Sequence, residues 1–444
     1  MSKEQTSAEL YVKDFSVFEE AKLTLKPLTI LIGGNSVGKS HLLYLTWLLM
    51  RLEPNVPALV EVNENLRNMI KGIKEAASKD KIIIDIIKEI VQGYSYFLTE
   101  SFKKTFGTGP ARLSKDKQLS VSVQGYSGCK IEFKLSGNEF ATNYVECEDL
   151  FNNIEIKINE DFEFPVIRLT ECGTIINRFI DIDNVVFNYF VLNTITKDAV
   201  SSCFKPWLLG DDDVDFFIDG RAGLIRSIMK PQIKVEGLLE PDEVFRLKYF
   251  KAIEKAYEGI KGIDLIRDFL EELGVKDIRV EFERGLYVPY IVTWNGASIP
   301  LDISPSGVRE SLLPLLSLIN EKGKVVIIEE PEAHLHPRAI TRLARVIARA
   351  VNMGKQVILS THNDYLLYEL SNLIEASELS DDELKRRGLG RGDVLSPDRV
   401  AVYLVRAEPG RDYSVLEEVP VSGNGIEEEE FSKVATELAE ESSH

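Results

Sequence analysis

Cysteine is scarce in this sequence: four residues in 444, Cys129, Cys147, Cys172 and Cys203, stand far apart with no C-x-x-C pair. That spacing predicts free thiols in a reducing compartment and argues against a disulfide framework or a zinc ribbon. Long apolar runs are missing as well. The longest, Leu42 to Met50, is interrupted by Thr46 and falls well short of the roughly 20 residues that span a bilayer. The N-terminus, Met-Ser-Lys-Glu-Gln, has no apolar leader core, so a soluble, cytoplasmic chain without membrane contact is expected. Positive charge is in deficit, with 53 Lys and Arg against 71 Asp and Glu for a net charge of −18. This excludes a protein that coats nucleic acid over its whole surface, although a local basic groove remains compatible. Internal repeats, low-complexity tracts, sustained heptads and a guanine-reading Asn-Lys-x-Asp are all absent.

Against these absences one stretch stands out. Gly33-Gly34-Asn35-Ser36-Val37-Gly38-Lys39-Ser40 fits G-x-x-x-x-G-K-[ST], a loop whose backbone N–H groups wrap nucleotide phosphates. In such a loop the lysine reaches the outer phosphates and the serine hydroxyl ligates Mg²⁺. Leu28 to Ile32 reads as a buried strand before it, and Lys39 to Met50 as a helix after it, starting with His41 in its first turn. Strand, loop, helix is the required context, because the helix N-terminus also faces the phosphates.

A length of 444 residues predicts two or three modules. Glu9 to Phe15 and Ala21 to Leu25 read as strands, Ala58 to Phe106 as helical, and Gln118 to Val123 with Lys130 to Leu135 as a hairpin. Ile154 to Ile158 and Val166 to Leu169 are further strand candidates. The stretch Ile175 to Leu209 is mixed. Asp211-Asp212-Asp213-Val214-Asp215 reads as a solvated turn, and Pro241 to Leu273 as a long helix closed by Gly274. Asn295-Gly296 signals a hairpin between Tyr287 to Thr293 and Ile299 to Leu301.

Two more strands end in chemistry. Lys324 to Ile328 runs into Glu329-Glu330-Pro331; the first acid is suited to hold the metal ion and the second to orient or deprotonate a water. Gln356 to Thr361 runs into His362, placed to sense the terminal phosphate. Of five histidines, only His444 lies away from these motifs. Between them, Ser304-Pro305-Ser306-Gly307 opens a helix and offers a second anion site, or a plain cap.

The order of phosphate loop, Ser-Gly helix start, acidic strand and histidine strand resembles the ABC-type ATPase heads of the SMC, RecF and OLD families. It looks most like the single-chain AAA fifteen and twenty-one groups, which share the run Glu-Glu-Pro-Glu-x-His-Leu-His-Pro, here Glu329 to Pro337. The resemblance implies an α/β P-loop ABC-type head, mixed sheets flanked by helices, built from 1–57 and 300–420. Residues 58–299 would be a large α+β insertion partly completing the lobes, and 421–444 an acidic tail; the stretch after Ser422, with Glu427 to Glu430 in a row, itself reads as a surface helix. It implies ATP and Mg²⁺ as ligands, with Gly33 to His41 on the nucleotide, Ser40 and Glu329 on the metal, and Glu330 and His362 catalytic. Two heads would sandwich two nucleotides, with Ser304, Ser306 and Gly307 acting on the partner's nucleotide in trans. The Ser-Gly stretch departs from Leu-Ser-Gly-Gly-Gln, so either serine can serve, and no glutamine-loop counterpart is evident. The stretch after His362 lacks the carboxylates of a Toprim nuclease, so none is expected in this chain.

The implied protein is an ATP-driven homodimer or higher homo-oligomer that handles DNA or controls a nuclease or other effector, as in genome maintenance or anti-phage defence. Arg338, Arg342, Arg345 and Arg349, spaced along one helix face, offer a phosphate-contacting surface or a solvated one; Lys385 to Arg387 with Arg391 offers a second. The alternatives are a P-loop kinase or phosphotransferase acting on a small substrate, and a nucleotide-sensing scaffold without turnover. The carboxylate strand and His362 argue against the first, and Glu330 against the second.

Overall fold

The computed structural model describes residues 7–72, 79–147, 154–157, 166–171, 174–179, 185–228, 238–283, 285–320 and 324–429. The chain divides into two compact units, Met1–Leu25 with Tyr44–Val214, and Lys26–Leu43 with Asp215–His444. This division runs elsewhere than the expected 1–57 and 300–420 against 58–299. Phe245, Tyr249, Phe269 and Ile291 share one core with Ile30, Val326 and Leu359, which draws the stretch after 215 into the second unit.

In the first unit, β1 (Ala8–Phe15) and β2 (Phe18–Leu25) form an antiparallel pair. Ala8, Leu10 and Val12 alternate with exposed or half-buried residues, the period of a strand with one buried face. A second hairpin adds β4 (Ser120–Gln124), β5 (Lys130–Ser136) and β6 (Glu139–Glu146), giving the antiparallel order β2-β1-β4-β5-β6. The helical stretch from 58 to 106 is four helices, Val56–Val62, Glu64–Lys71, Lys79–Gln92 and Tyr94–Phe106. Phe102 packs on Phe15 and Phe140 in edge-to-face contacts, fixing the last helix to the sheet. The mixed stretch after Ile175 is the end of a meander, β7 (Ile154–Lys157), β8 (Val166–Glu171) and β9 (Thr174–Phe179), then a helix, Val185–Phe204.

The free-thiol expectation is overturned here. Cys129 and Cys147 form a disulfide, and Cys203 lies beside them; Cys172 falls outside the described residues. The cause is register: β5 pairs Lys130 with Glu146, so the residues flanking that pair are opposed. Distance along the chain says nothing of this.

The second unit carries β3 (Leu28–Gly33), β10 (Val214–Phe217), β14 (Val325–Glu329), β15 (Gln356–Ser360), β16 (Val400–Ala407) and β17 (Ser414–Val419) in the order β10-β14-β15-β3-β16-β17. β14, β15, β3 and β16 run parallel, and β17 returns antiparallel. β3 and β14 are buried at every position, as continuous apolar strands covered on both faces must be. The strands β11 (Val275–Glu283), β12 (Leu286–Thr293) and β13 (Ser298–Pro300) form a separate antiparallel sheet, with the expected turn at Asn295-Gly296. The long helix expected from Pro241 to Leu273 is instead Glu240–Tyr257, a 3-10 turn and Arg267–Glu272. Gly259 and Gly262 between them take left-handed backbone, which ends the helix. Val421–Ser422 and Gly425–Ile426 pair as a small hairpin rather than a helix, with the Ile426 N–H on Ser371 Oγ at 2.9 Å; residues 430–444 lie outside the described residues. No helix among the described residues is long and apolar enough to cross a membrane.

Asp215 departs from the solvated turn expected for its cluster. Its carboxylate accepts from Lys248 Nζ at 2.7 Å and Ser317 Oγ at 2.6 Å, pinning β10 to helices Glu240–Tyr257 and Ser306–Ile319. Burial alone would push this carboxyl up, but Lys248 and the hydrogen bonds hold it below its ordinary value. A carboxyl depressed by folding contributes stability above its unfolded value and loses it as pH falls through the folded one. Asp215→Asn is therefore expected to lower stability at pH 7 by about 1.5–3 kcal/mol, and the deficit should shrink in unfolding curves taken toward pH 3.

Candidate nucleotide site

The parallel register brings the motifs to one edge. Glu329 is level with Ser360, and Ser360 with Leu31, so β14, β15 and β3 end side by side just before the phosphate loop. Backbone bonds lock that edge: Glu330 N–H donates to Ser360 O at 3.1 Å, and Thr361 N–H to Leu31 O at 3.0 Å.

Gly33 leaves β3 at φ +132°, and a Cβ there would meet Val405 O at 2.0 Å, so no other residue fits. Gly34, Asn35, Ser36 and Ser40 are exposed, Val37, Gly38 and His41 half-buried, and Lys39 buried. Lys39 Nζ donates to Gly33 O at 3.0 Å and Gly34 O at 2.6 Å, folding back into the loop it belongs to. Burial pushes its ammonium down to about 8, against the pull of Glu330, Glu329 and Glu332. His41 is likewise lowered by burial, with the Glu329 charge opposing.

Glu330 follows β14 at φ 44°, a left-handed backbone that costs a non-glycine residue on the order of 1–3 kcal/mol. Ser36 and His334, also in this unit, share that conformation at φ 60° and 61°. Glu330 is held there from both sides, by Ser360 and by Arg221 Nη2, which donates to Glu330 O at 3.1 Å. Its Oε1 lies 3.3 Å from His362 Nε2. Burial raises the Glu330 carboxyl, as do the charges of Asp219 and Glu329, while Lys39 and Arg221 oppose them. Burial lowers His362, and Lys39 adds to that, leaving a neutral imidazole at pH 7 beside a carboxylate of enhanced basicity.

Several residues of the site carry no motif of their own. Arg221 is wholly buried; its guanidinium donates to the carbonyls of Phe217, Ile218, Glu329, Glu330 and Glu310, and its Nε sits 3.1 Å from Glu310 Oε2. Glu310 Oε1 in turn accepts from Ala222 N–H at 2.9 Å. One arginine thus ties the strand end bearing Glu330 to the helix that Ser306 begins. The Asp219 N–H donates to Glu329 Oε2 at 3.2 Å, from the loop after β10, next to β14. Glu332 Oε1 accepts from Thr361 Oγ1 at 2.6 Å and from His362 N–H at 3.3 Å, aligning the two strand ends. The run leading into His362 contains Thr361; nothing in the sequence singled out Asp219.

The second anion motif separates into distinct parts. Ser304 is buried and donates to Pro300 O at 2.9 Å, and Gly307 packs so closely that a Cβ would stand 2.7 Å from His334 O. Ser306 is half-buried at the first position of helix Ser306–Ile319, where Ser304 is buried. The arginine face also divides. Arg345 pairs with Glu369 at 3.2 Å, and Arg349 with Asp393 at 2.6 Å and Asp268 at 2.8 Å, so both are held within the protein. Arg391 is bound to Asp381 at 2.6 Å.

Residues 241–367, spanning Ser306, Glu329, Glu330 and His362, match the family described as "AAA domain, putative AbiEii toxin, Type IV TA system". That stretch of the chain is similar to this family's AAA domain. The phosphate loop lies outside the matched residues, and β3, paired to β15, brings it to the strand ends of the matched stretch. Among solved structures, the chain is similar to the SMC head bound to the C-winged helix domain of ScpA, at 12% identity and TM-score 0.41 over 94% of this chain and 98% of that one. It is similar also to the SMC head domain from Thermotoga maritima, at 11% identity and TM-score 0.39 over 94% and 99%. The third is the SMC head with an extended coiled coil bound to the C-terminal domain of ScpA, derived from Pyrococcus furiosus, at 10% identity and TM-score 0.39 over 98% and 99%. No curated protein sequence matches this chain. The mixed α/β architecture expected from the sequence, with parallel strands ending at the Gly33–Ser40 loop, is the one observed.

The site's donors suit a nucleotide with Mg²⁺. Ser40 offers an exposed hydroxyl and Glu329 a carboxylate, hard oxygen ligands of the kind Mg²⁺ takes. Among the described residues no three carboxylate or imidazole ligand atoms here lie close enough to form a ready-made cage.

Proposed function

We propose that this chain binds ATP at Gly33–Ser40 and hydrolyses it with Glu330 as the base that takes a proton from the attacking water. The observation that carries this is the meeting of Lys39, Glu330 and His362 at one edge, with Glu330 Oε1 3.3 Å from His362 Nε2 and its carboxyl raised by burial. Lys39 leaves the carbonyls of Gly33 and Gly34 for the outer phosphates. His362, neutral at pH 7, orients Glu330 and donates toward the terminal phosphate. Mg²⁺, when bound through Ser40 and Glu329, neutralises charge on the phosphate oxygens. Asp219, whose N–H meets Glu329 Oε2, stands in for the missing glutamine-loop residue.

Ser306 is the residue we assign to a partner head's nucleotide, so turnover requires two chains. The family's description places related AAA domains in a toxin–antitoxin setting, and we extend that setting here. In this reading ATP-driven pairing of heads controls an effector protein, in defence against phage. The ion pairs of Arg345 and Arg349 and the net charge of −18 favour a protein partner over direct DNA contact.

Lys39→Met tests the nucleotide assignment. Losing one charged donor should weaken ATP binding by about 10- to 100-fold, measured by fluorescence titration with a labelled ATP analogue. An unchanged affinity would remove the phosphate loop from the account.

A further inference from the structure

Three cysteines from three elements meet in the first unit. Cys129 immediately precedes β5, Cys147 immediately follows β6, and Cys203 sits in the last turn of helix Val185–Phe204. All three are buried, and their sulfur atoms lie within 4.8 Å of one another. The meeting is built by the backbone as well. Tyr126 N–H donates to Lys205 O at 2.8 Å, the Ser127 hydroxyl donates to Cys203 O, and Gly125 lies so close that a Cβ would be 2.6 Å from the Phe204 carbonyl carbon. The turn between β4 and β5 is therefore tied to the helix end by contacts that do not involve the Cys129–Cys147 bond itself.

Cys203 brings a third sulfur to the bonded pair. We propose that the reduced chain holds one thiophilic cation, of the Zn²⁺ or Cu⁺ kind, on Cys129, Cys147 and Cys203. With Zn–S bonds of about 2.3 Å, sulfurs around one ion stand about 4 Å apart; the three lie within 4.8 Å of one another, and Cys129 and Cys147 separate to that spacing once their bond opens. Thiolates select soft ions, whereas the oxygen donors of the nucleotide site suit Mg²⁺, so the two sites do not compete. Among the described residues no histidine or carboxylate joins the cluster, which leaves any fourth position to water. A phosphine reductant supplies the two electrons that open the Cys129–Cys147 bond and leaves as its oxide, water supplying the oxygen and the two thiol protons, and ion binding then releases thiol protons to solvent. The ion clamps the β5–β6 hairpin to the helix end.

The test uses the full chain, reduced with a phosphine and freed of metal, titrated anaerobically with Cd²⁺ as a spectroscopic stand-in for Zn²⁺. We expect a thiolate-to-metal charge-transfer band that saturates at one equivalent and a raised melting midpoint. Cys203→Ser and Cys147→Ser should each weaken binding by about 100-fold or more, beyond the loss of an outer-shell partner, while Cys172→Ser leaves it unchanged. Three results would overturn the proposal: no band once a thiol count confirms reduction, a full band in Cys203→Ser, or a Cys129–Cys147 bond that survives the reductant. Should either serine variant fold poorly, the wild-type stoichiometry and melting shift still decide.

Discussion

Glu330→Gln should cut ATP turnover by about 10²- to 10⁴-fold, the usual cost of removing a general base, while leaving ATP affinity within a few-fold. The amide keeps the size of the side chain and can still meet His362, but it cannot accept a proton. The backbone does not change either, since the left-handed φ of 44° at this position is no harder for Gln than for Glu and is held by Ser360 and Arg221. Phosphate release under saturating ATP reads the first quantity and equilibrium titration the second. A rate within about threefold of wild type would take the base assignment away from Glu330, with Glu329 the next carboxylate to test. His362→Ala is the informative companion. It removes the group 3.3 Å from Glu330 Oε1 without removing the base, so its loss should be smaller and should fall on turnover rather than affinity.

Arg221→Met should destabilise the second unit by about 3–5 kcal/mol, because it strands Glu310 as a buried charge. The carbonyls of Phe217, Ile218, Glu329 and Glu330 lose a donor at the same time. Lysine cannot replace the planar fork that reaches five carbonyls, so Arg221→Lys should recover little. The double change Arg221→Met with Glu310→Leu, which removes both charges, should restore much of the loss, and that recovery separates stranded charge from lost packing. Chemical denaturation measures all four proteins. A loss below about 1 kcal/mol in Arg221→Met would mean that water replaces the guanidinium and that the strand end does not depend on it.

Contiguity decided what could be read from the chain. Gly33 to Ser40, Glu329-Glu330 and Ser360-Thr361-His362 each pair a continuous apolar strand with its chemistry in adjacent residues, so period and composition sufficed. The parallel register then placed them together, as strands of that kind require. What stayed hidden depends on partners distant in sequence. Arg221 and Glu310 are 89 residues apart, and each alone reads as a surface charge. Ser304 looked as able as Ser306 until its bond to Pro300 O accounted for it. Arg345 and Arg349 looked like a basic face because their acidic partners, Glu369, Asp268 and Asp393, come from other segments. The cysteines followed the same rule, since strand register and a helix end bring them together. Gly259 and Gly262, by contrast, were visible breaks that the apolar pattern on either side masked.

The measurement that tests the central claim most directly is the solution mass of Glu330→Gln, by light scattering on a sizing column, with and without Mg-ATP. If Ser306 of one chain completes the site of another, ATP should convert monomer to dimer, and Ser306→Arg should prevent it. A protein that stays monomeric with ATP bound, while the wild type hydrolyses ATP at the same dilution, would contradict a site completed in trans.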